Sequence, residues 1–145
     1  MANPFVHIEL STDDIAKAKK FYQSVFAWKL SEAKGMPYTL IDVGKGTGGG
    51  MQKKPMPNIP TAWLPYVEVD DVKKTIAKAK AGGAQITLDY MPIGDMGAIG
   101  VFIDPTGAAL GVWQAMKKAP AAKKSAAKKS AAKKSAAKKP AAKKK

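Results

Sequence analysis

Histidine occurs once in this chain, at His7, so any imidazole acid–base chemistry has to use it. Residues 5–10 alternate in the manner of a strand, which puts Glu9 on the same face as His7 and Val6, Ile8 and Leu10 on the other. Side by side, His7 and Glu9 are candidate catalytic residues: they can orient a small molecule or pass a proton. Their other reading is a plain hydrogen bond between two polar neighbours. Glu68 stands in a similar place before a second helix, so Glu9 and Glu68 have the composition of an acid and a base, or of polar groups lining a wet cavity. Tyr38, Tyr66, Tyr90, Trp63 and Trp113 supply aromatic walls, and apolar walls with a few convergent polar groups are how small-ligand sites are built. Tyr38, Met51, Tyr66, Glu68 and Trp113 are the expected ligand-binding set. Core packing or a dimer contact is the other use of such aromatics.

Other chemistry is excluded by what is missing. There is no cysteine, hence no disulfide and no thiolate metal site. There is no arginine, hence no bidentate fork for a carboxylate or a base edge. Gly44, Gly46 and Gly49 satisfy Gly-x-Gly-x-x-Gly, but that fingerprint needs a helix N-terminus behind it, and residues 51–60 carry three prolines. Ser-Ala-Ala-Lys at Ser125, Ser130 and Ser135 matches a penicillin-binding signature only as a low-complexity repeat.

The elements that must position His7 and Glu9 come in two similar sets. After the strand at 5–10, Ser11 or Thr12 can cap a helix whose first turn holds Asp13 and Asp14, and Ile15, Ala18, Tyr22, Val25 and Phe26 keep helical spacing. Strands are expected at 28–33, 38–43 and around Met51 and Gln52. Pro55, Pro57 and Pro60 mark a linker. A strand at 63–69 follows, then a helix opened by Asp70 or Asp71, carrying Val72, Ile76 and Ala79 and stopped by Gly82 and Gly83. Strands at 84–90, 98–103 and 108–114 close the set, the last two joined by an Asp104-Pro-Thr-Gly107 turn. An ungapped overlay places Asp13, Asp14 and Ile15 on Asp70, Asp71 and Val72, so the order strand, helix, three strands is a repeat.

With His7 ahead of Asp14 and Ile15, the Phe21-Tyr22 pair, Trp28-Lys-Leu, Trp63-Leu-Pro-Tyr66 and Asp104-Pro-Thr-Gly107, the chain resembles the vicinal oxygen chelate superfamily of glyoxalases, bleomycin-resistance proteins and dioxygenases. The resemblance runs from about residue 4 to residue 115. It implies an α+β fold of two βαβββ modules whose curved mixed sheets surround a cavity, and it implies a homodimer. The expected domain spans residues 3–115, with module one at 3–54, a linker at 55–61 and module two at 62–115. The family's metal centre takes a His or Gln from the first strand of each module and an acid from each last strand. Here those positions hold His7, Leu64, the Gly50-Met51-Gln52 stretch and Gly111, so one ligand of the set is kept. No cofactor is therefore expected, since a divalent ion needs three or four ligands. The alternative is a metal-dependent lyase or dioxygenase with a non-standard site around His7, using Glu9 and Glu68.

Charge is unevenly placed. The formal net charge is +14, from 25 lysines against 11 acids, yet 13 of those lysines lie between Lys117 and Lys145, where there is no acid. The other 12 leave residues 1–116 at +1. The expected tail, 116–145, repeats Lys-Lys-Ser-Ala-Ala and resembles the lysine–alanine tails of linker-histone-like nucleoid proteins. It cannot bury enough surface to order itself, so disorder in the free chain is expected. Lys123, Lys124, Lys128, Lys129, Lys133, Lys134, Lys138 and Lys139 are the candidate contacts to nucleic-acid phosphates, without base readout. Anionic membrane surfaces and acidic proteins are the competing partners. No apolar run reaches the roughly 18 residues of a membrane span and there is no signal peptide, so a cytoplasmic, nucleoid-associated location is expected. The leading reading is a small-molecule binder or enzyme without the usual metal, tethered to nucleic acid. A third is a nucleoid-type protein whose domain serves mainly to dimerise.

Overall fold

Asp14 and Asp71 start the two helices in the same way. Asp14 Oδ1 accepts from the Lys17 N–H at 2.9 Å and Asp71 Oδ1 from the Lys74 N–H at 3.0 Å, each satisfying an amide that the helix itself leaves free. Asp14 thus takes the capping role expected of Ser11 or Thr12, and Thr12 Oγ1 instead accepts from the Asp14 N–H. The second helix is tied down further by Gln114, whose Oε1 accepts from the Val72 N–H at 2.8 Å.

The computed structural model describes residues 2–117. Its elements are β1 (Phe5–Thr12), α1 (Ile15–Val25), β2 (Lys29–Glu32), β3 (Thr39–Asp42), β4 (Gly49–Lys53), β5 (Ala62–Glu68), α2 (Val72–Ala81), β6 (Gln85–Ile93), β7 (Gly97–Ile103) and β8 (Ala109–Ala115). This is βαβββ twice, as the repeat predicts. The lysines expected to bind nucleic acid, Lys123 to Lys139, lie outside the described residues.

The eight strands form one sheet in the order β2-β3-β4-β1-β5-β8-β7-β6. Its symmetry is visible in the pairing: β1 runs parallel to β4, β5 parallel to β8, and β1 meets β5 antiparallel between them. Both helices cover the same face. Under α1 lie Leu10, Ile41 and Met51, flanked by Tyr22, Trp28 and Trp63. From α2, Val72 and Ile76 pack onto Val69 and Val112, flanked by Ile86 and Phe102. Burial of each such aliphatic side chain stabilises the fold by roughly 1.5–3 kcal/mol. The opposite face of β1 and β5 carries His7, Glu9 and Tyr66.

Candidate functional site

Alternation along β1 turns Leu10 into the core under α1 and Glu9 away from it. The ladder with β5 sets His7 beside Tyr66 and Glu9 beside Leu64, while the ladder with β4 sets Glu9 beside Gly50 and Ser11 beside Gln52. Strand pairing alone therefore gathers residues from positions 7 to 66 around one carboxylate.

Glu9 is 9% exposed and both of its oxygens are engaged. Oε2 accepts from the Tyr38 hydroxyl at 2.9 Å, and Oε1 accepts from Gln52 Nε2 at 2.9 Å and from the Tyr66 hydroxyl at 3.3 Å. His7 does not touch Glu9 directly, contrary to the hydrogen bond expected from the strand alone. Its Nε2 lies 2.6 Å from the Tyr38 hydroxyl, so the phenol stands between imidazole and carboxylate. The protons in this row constrain one another. With Glu9 ionised, Tyr38 gives its one O–H to Glu9, and His7 Nε2–H must donate to the phenol oxygen. With Glu9 protonated, the row reverses: the carboxyl donates to Tyr38 and Tyr38 donates to a bare Nε2.

Electrostatics favour neutral groups here. Burial raises the Glu9 carboxyl above its ordinary pKa, opposed by the hydrogen bonds from Tyr38 and Tyr66. Burial lowers His7 below the ordinary histidine range. Both phenols are pushed up, by burial first and by the Glu9 charge second, so they act as proton donors and conduits and not as phenolates.

Glycine makes room for the two phenols. A Cβ at Gly50 would run into the Tyr38 ring, and one at Gly111 into the Tyr66 ring. Each ring thus lies flat over a bare stretch of β4 or β8, at the strand positions paired with Glu9 and Tyr66. The recesses, with Gln52 as a third donor to Glu9, are the part of the site not foreseen from sequence. Their signal was glycine inside strands with no turn to make.

The remaining candidates separate by face. Met51 is fully buried under α1, because its neighbour Gln52 takes the outward position; it belongs to the core and not to the ligand-binding set. Trp63 also faces α1, where its Nε1–H donates to the Tyr22 hydroxyl at 3.2 Å and its ring meets Trp28 edge-on. Tyr90 lies beneath the Lys73 ammonium, 4.6 Å from the ring centre, away from Glu9. Trp113 pairs with Glu68 across β5 and β8, and its ring leans over Gly97. Among the described residues the Glu68 carboxylate makes no hydrogen bond to the Glu9 cluster; only its backbone is engaged, with Pro4 and Asn3.

A metal of the kind the superfamily uses does not fit this donor set. Among the described residues, no group of three or more His, Cys, Asp or Glu comes together. A cation between His7 and Glu9 would have to displace the Tyr38 hydroxyl and turn the Gln52 amide away from the carboxylate.

Known proteins agree with the architecture. The chain is 35% identical over 117 residues to "Putative glyoxylase CFP32" of Mycobacterium tuberculosis, covering 74% of this chain and 44% of that protein. It is 26% identical over 126 residues to the anthracycline biosynthesis protein DnrV of Streptomyces peucetius, covering 73% and 45%. The chain thus spans less than half the length of these curated relatives. Among solved structures, the hypothetical protein BH1468 of Bacillus halodurans superposes with a TM-score of 0.59 at 14% identity, over 82% of this chain and 99% of that one. That likeness is one of fold. No helix among the described residues is long and apolar enough to cross a membrane. Residues 5–112 match the sequence model of the Glyoxalase/Bleomycin resistance protein/Dioxygenase superfamily, and the chain belongs to that superfamily.

Proposed function

We propose that this chain binds and deprotonates a small organic molecule with Glu9 as the base, in place of the metal-centred chemistry of its superfamily. The observation that carries the reading is the continuous row from His7 Nε2 through the Tyr38 hydroxyl to Glu9 Oε2. Glu9 takes a proton from the bound molecule, and the carboxyl so formed donates to Tyr38. His7, which is partly exposed, exchanges its Nε2–H for an Nδ1–H through solvent, and the Tyr38 O–H then turns to donate to the bare Nε2. Tyr66 and Gln52 occupy both acceptor positions of the second carboxylate oxygen, which leaves Oε2 as the oxygen to take the proton. Burial serves this role, because a carboxylate with a raised pKa is a stronger base near neutrality.

The test combines metal analysis with a ligand screen. Chain purified without a polyhistidine tag is expected to hold no stoichiometric zinc, nickel or iron. Hits from a thermal-shift screen of small carbonyl and carboxylate compounds are expected to survive EDTA and vanish in Glu9→Gln. Stoichiometric metal, or hits abolished by EDTA, would instead support the non-standard metal site around His7.

We also infer that the lysines from Lys117 onward tether this unit to nucleic acid. What supports it is 13 ammonium groups with no acid among them, which bind phosphates by releasing counterions and read no sequence. Retention on duplex DNA should then fall steeply with salt, with a log–log slope reaching at most about −12. Retention should be lost when the chain stops at Met116; equal, salt-insensitive retention of both chains would remove the tether. A screen without hits, alongside salt-dependent DNA retention, would favour the domain that serves only to dimerise and present tails.

A further inference from the structure

We infer that the cleft between α2 and β6, on the helix-covered face and apart from Glu9, is a second binding site that takes a small amphipathic monoanion. The cleft is open to solvent along its rim and offers about 490 Å³, within the range of small-ligand sites. From α2 it receives Lys73, Ile76, Ala77 and Lys80, which at spacings of three, four and seven share one face of the helix. From the opposing segment it receives Ala84, Gln85, Ile86 and Asp89.

Size and charge define the occupant. Ala77 and Ala84 face the space from opposite sides, and neither is large enough to fill it. The floor is apolar: Ile76 is buried at 3% exposure, and Ile86 packs against the same core cluster. Two ammonium groups and one carboxylate stand at the rim, so the cleft is net positive. The Lys73 ammonium rests over the Tyr90 ring, 4.6 Å from its centre, which holds that charge beside the cleft. Among the described residues neither lysine nor Asp89 forms an ion pair with another side chain, so no carboxylate neutralises either ammonium. An apolar body of several carbons ending in one carboxylate, sulfonate or phosphate monoester matches floor and rim together. A cation is repelled, and a neutral chain leaves the lysines unanswered.

Octanoate is a suitable probe, with octanol as its neutral control. Because the lysines from Lys117 onward also attract anions, the readout has to be local: methyl resonances of Ile76, Ala77 and Ile86 in the full chain. Octanoate at millimolar concentration is expected to shift these three methyls saturably, with octanol far weaker. Lys73→Gln with Lys80→Gln should weaken octanoate about tenfold. Ala77→Leu, which fills the cleft without altering its charge, should abolish the shifts while the His7 ring resonances stay in place. Absence of shifts at the three methyls would overturn the site. Octanol binding as well as octanoate, undiminished binding to the double variant, or undiminished binding to Ala77→Leu would do the same.

Discussion

The two halves of this sheet are built to one plan and put to different uses. Helix α2 buries Val72 and Ile76 and is anchored from β8 by Gln114, whereas α1 has no buried residue and rests on the half-buried Ile15, Ala18 and Tyr22. On the other face the imbalance reverses. Module one supplies His7, Glu9, Tyr38 and Gln52, while module two supplies Tyr66 alone to the same cluster. Positions related by the repeat show the exchange directly: His7 overlays Leu64, and Glu9 overlays Tyr66. The half with the more deeply buried helix carries little chemistry, and the half with the chemistry has a helix without a buried residue. Buried polar groups lower stability unless fully partnered, so a second, apolar module is what lets the first hold a buried carboxylate.

The largest expected effect tests that division of labour. Ile76→Ala should cost about 3 kcal/mol in urea denaturation, and Ile15→Ala only about 1 kcal/mol, since Ile15 is already half-exposed. Equal costs would mean that the helices are equally anchored. Next come the glycine recesses. Gly111→Ala should cost about 2 kcal/mol by forcing the Tyr66 ring off β8, and Gly50→Ala a similar amount by displacing Tyr38. Gly50→Ala should additionally return His7 toward the ordinary histidine range, which Gly111→Ala should not.

The smallest effect is a pH dependence with opposite signs from the two titrating groups. Glu9 is raised in the folded state, so its contribution to stability is complete below the ordinary carboxylate range and is lost as pH rises through its folded pKa. His7 is lowered, so its contribution is complete above the ordinary histidine range and is lost as pH falls through its folded pKa. The melting temperature of Glu9→Gln should therefore gain on the parent chain as pH rises above the ordinary carboxylate range. A constant difference would mean that the Glu9 charge is not being desolvated.

Sequence and structure agree where local rules decide. Alternation, helix spacing, the paired aspartates and the turn at Asp104 gave the element order and the twofold repeat. They also placed His7 beside Glu9 on one face, because period-two alternation leaves no other choice. What was not legible depends on ladder register and on reach across strands. Met51 and Gln52 are neighbours in sequence, and only the pairing of β4 with β1 decides which faces the core. Tyr38 enters β3 from the turn before it, and its hydroxyl reaches the gap between His7 and Glu9 only because Gly50 leaves the ring a place to lie. Trp63 reads as a cavity wall by composition, but register sends it to the helix side. The family's ligand positions could be compared in sequence, while the phenol rings that lie over Gly50 and Gly111 could not be placed.

The central claim is that Tyr38 joins His7 to Glu9 in one proton-sharing row, and the single histidine makes it directly measurable. Imidazole ¹H–¹⁵N spectra of the full chain, followed against pH, report the His7 tautomer and pKa without overlap. The row predicts a neutral Nε2–H tautomer at neutral pH and a pKa below the ordinary histidine range. The pKa should move toward the ordinary range in Tyr38→Phe, and the Nε2–H resonance should shift in both Tyr38→Phe and Glu9→Gln. A His7 that titrates normally in the parent chain, and responds to neither substitution, would contradict it.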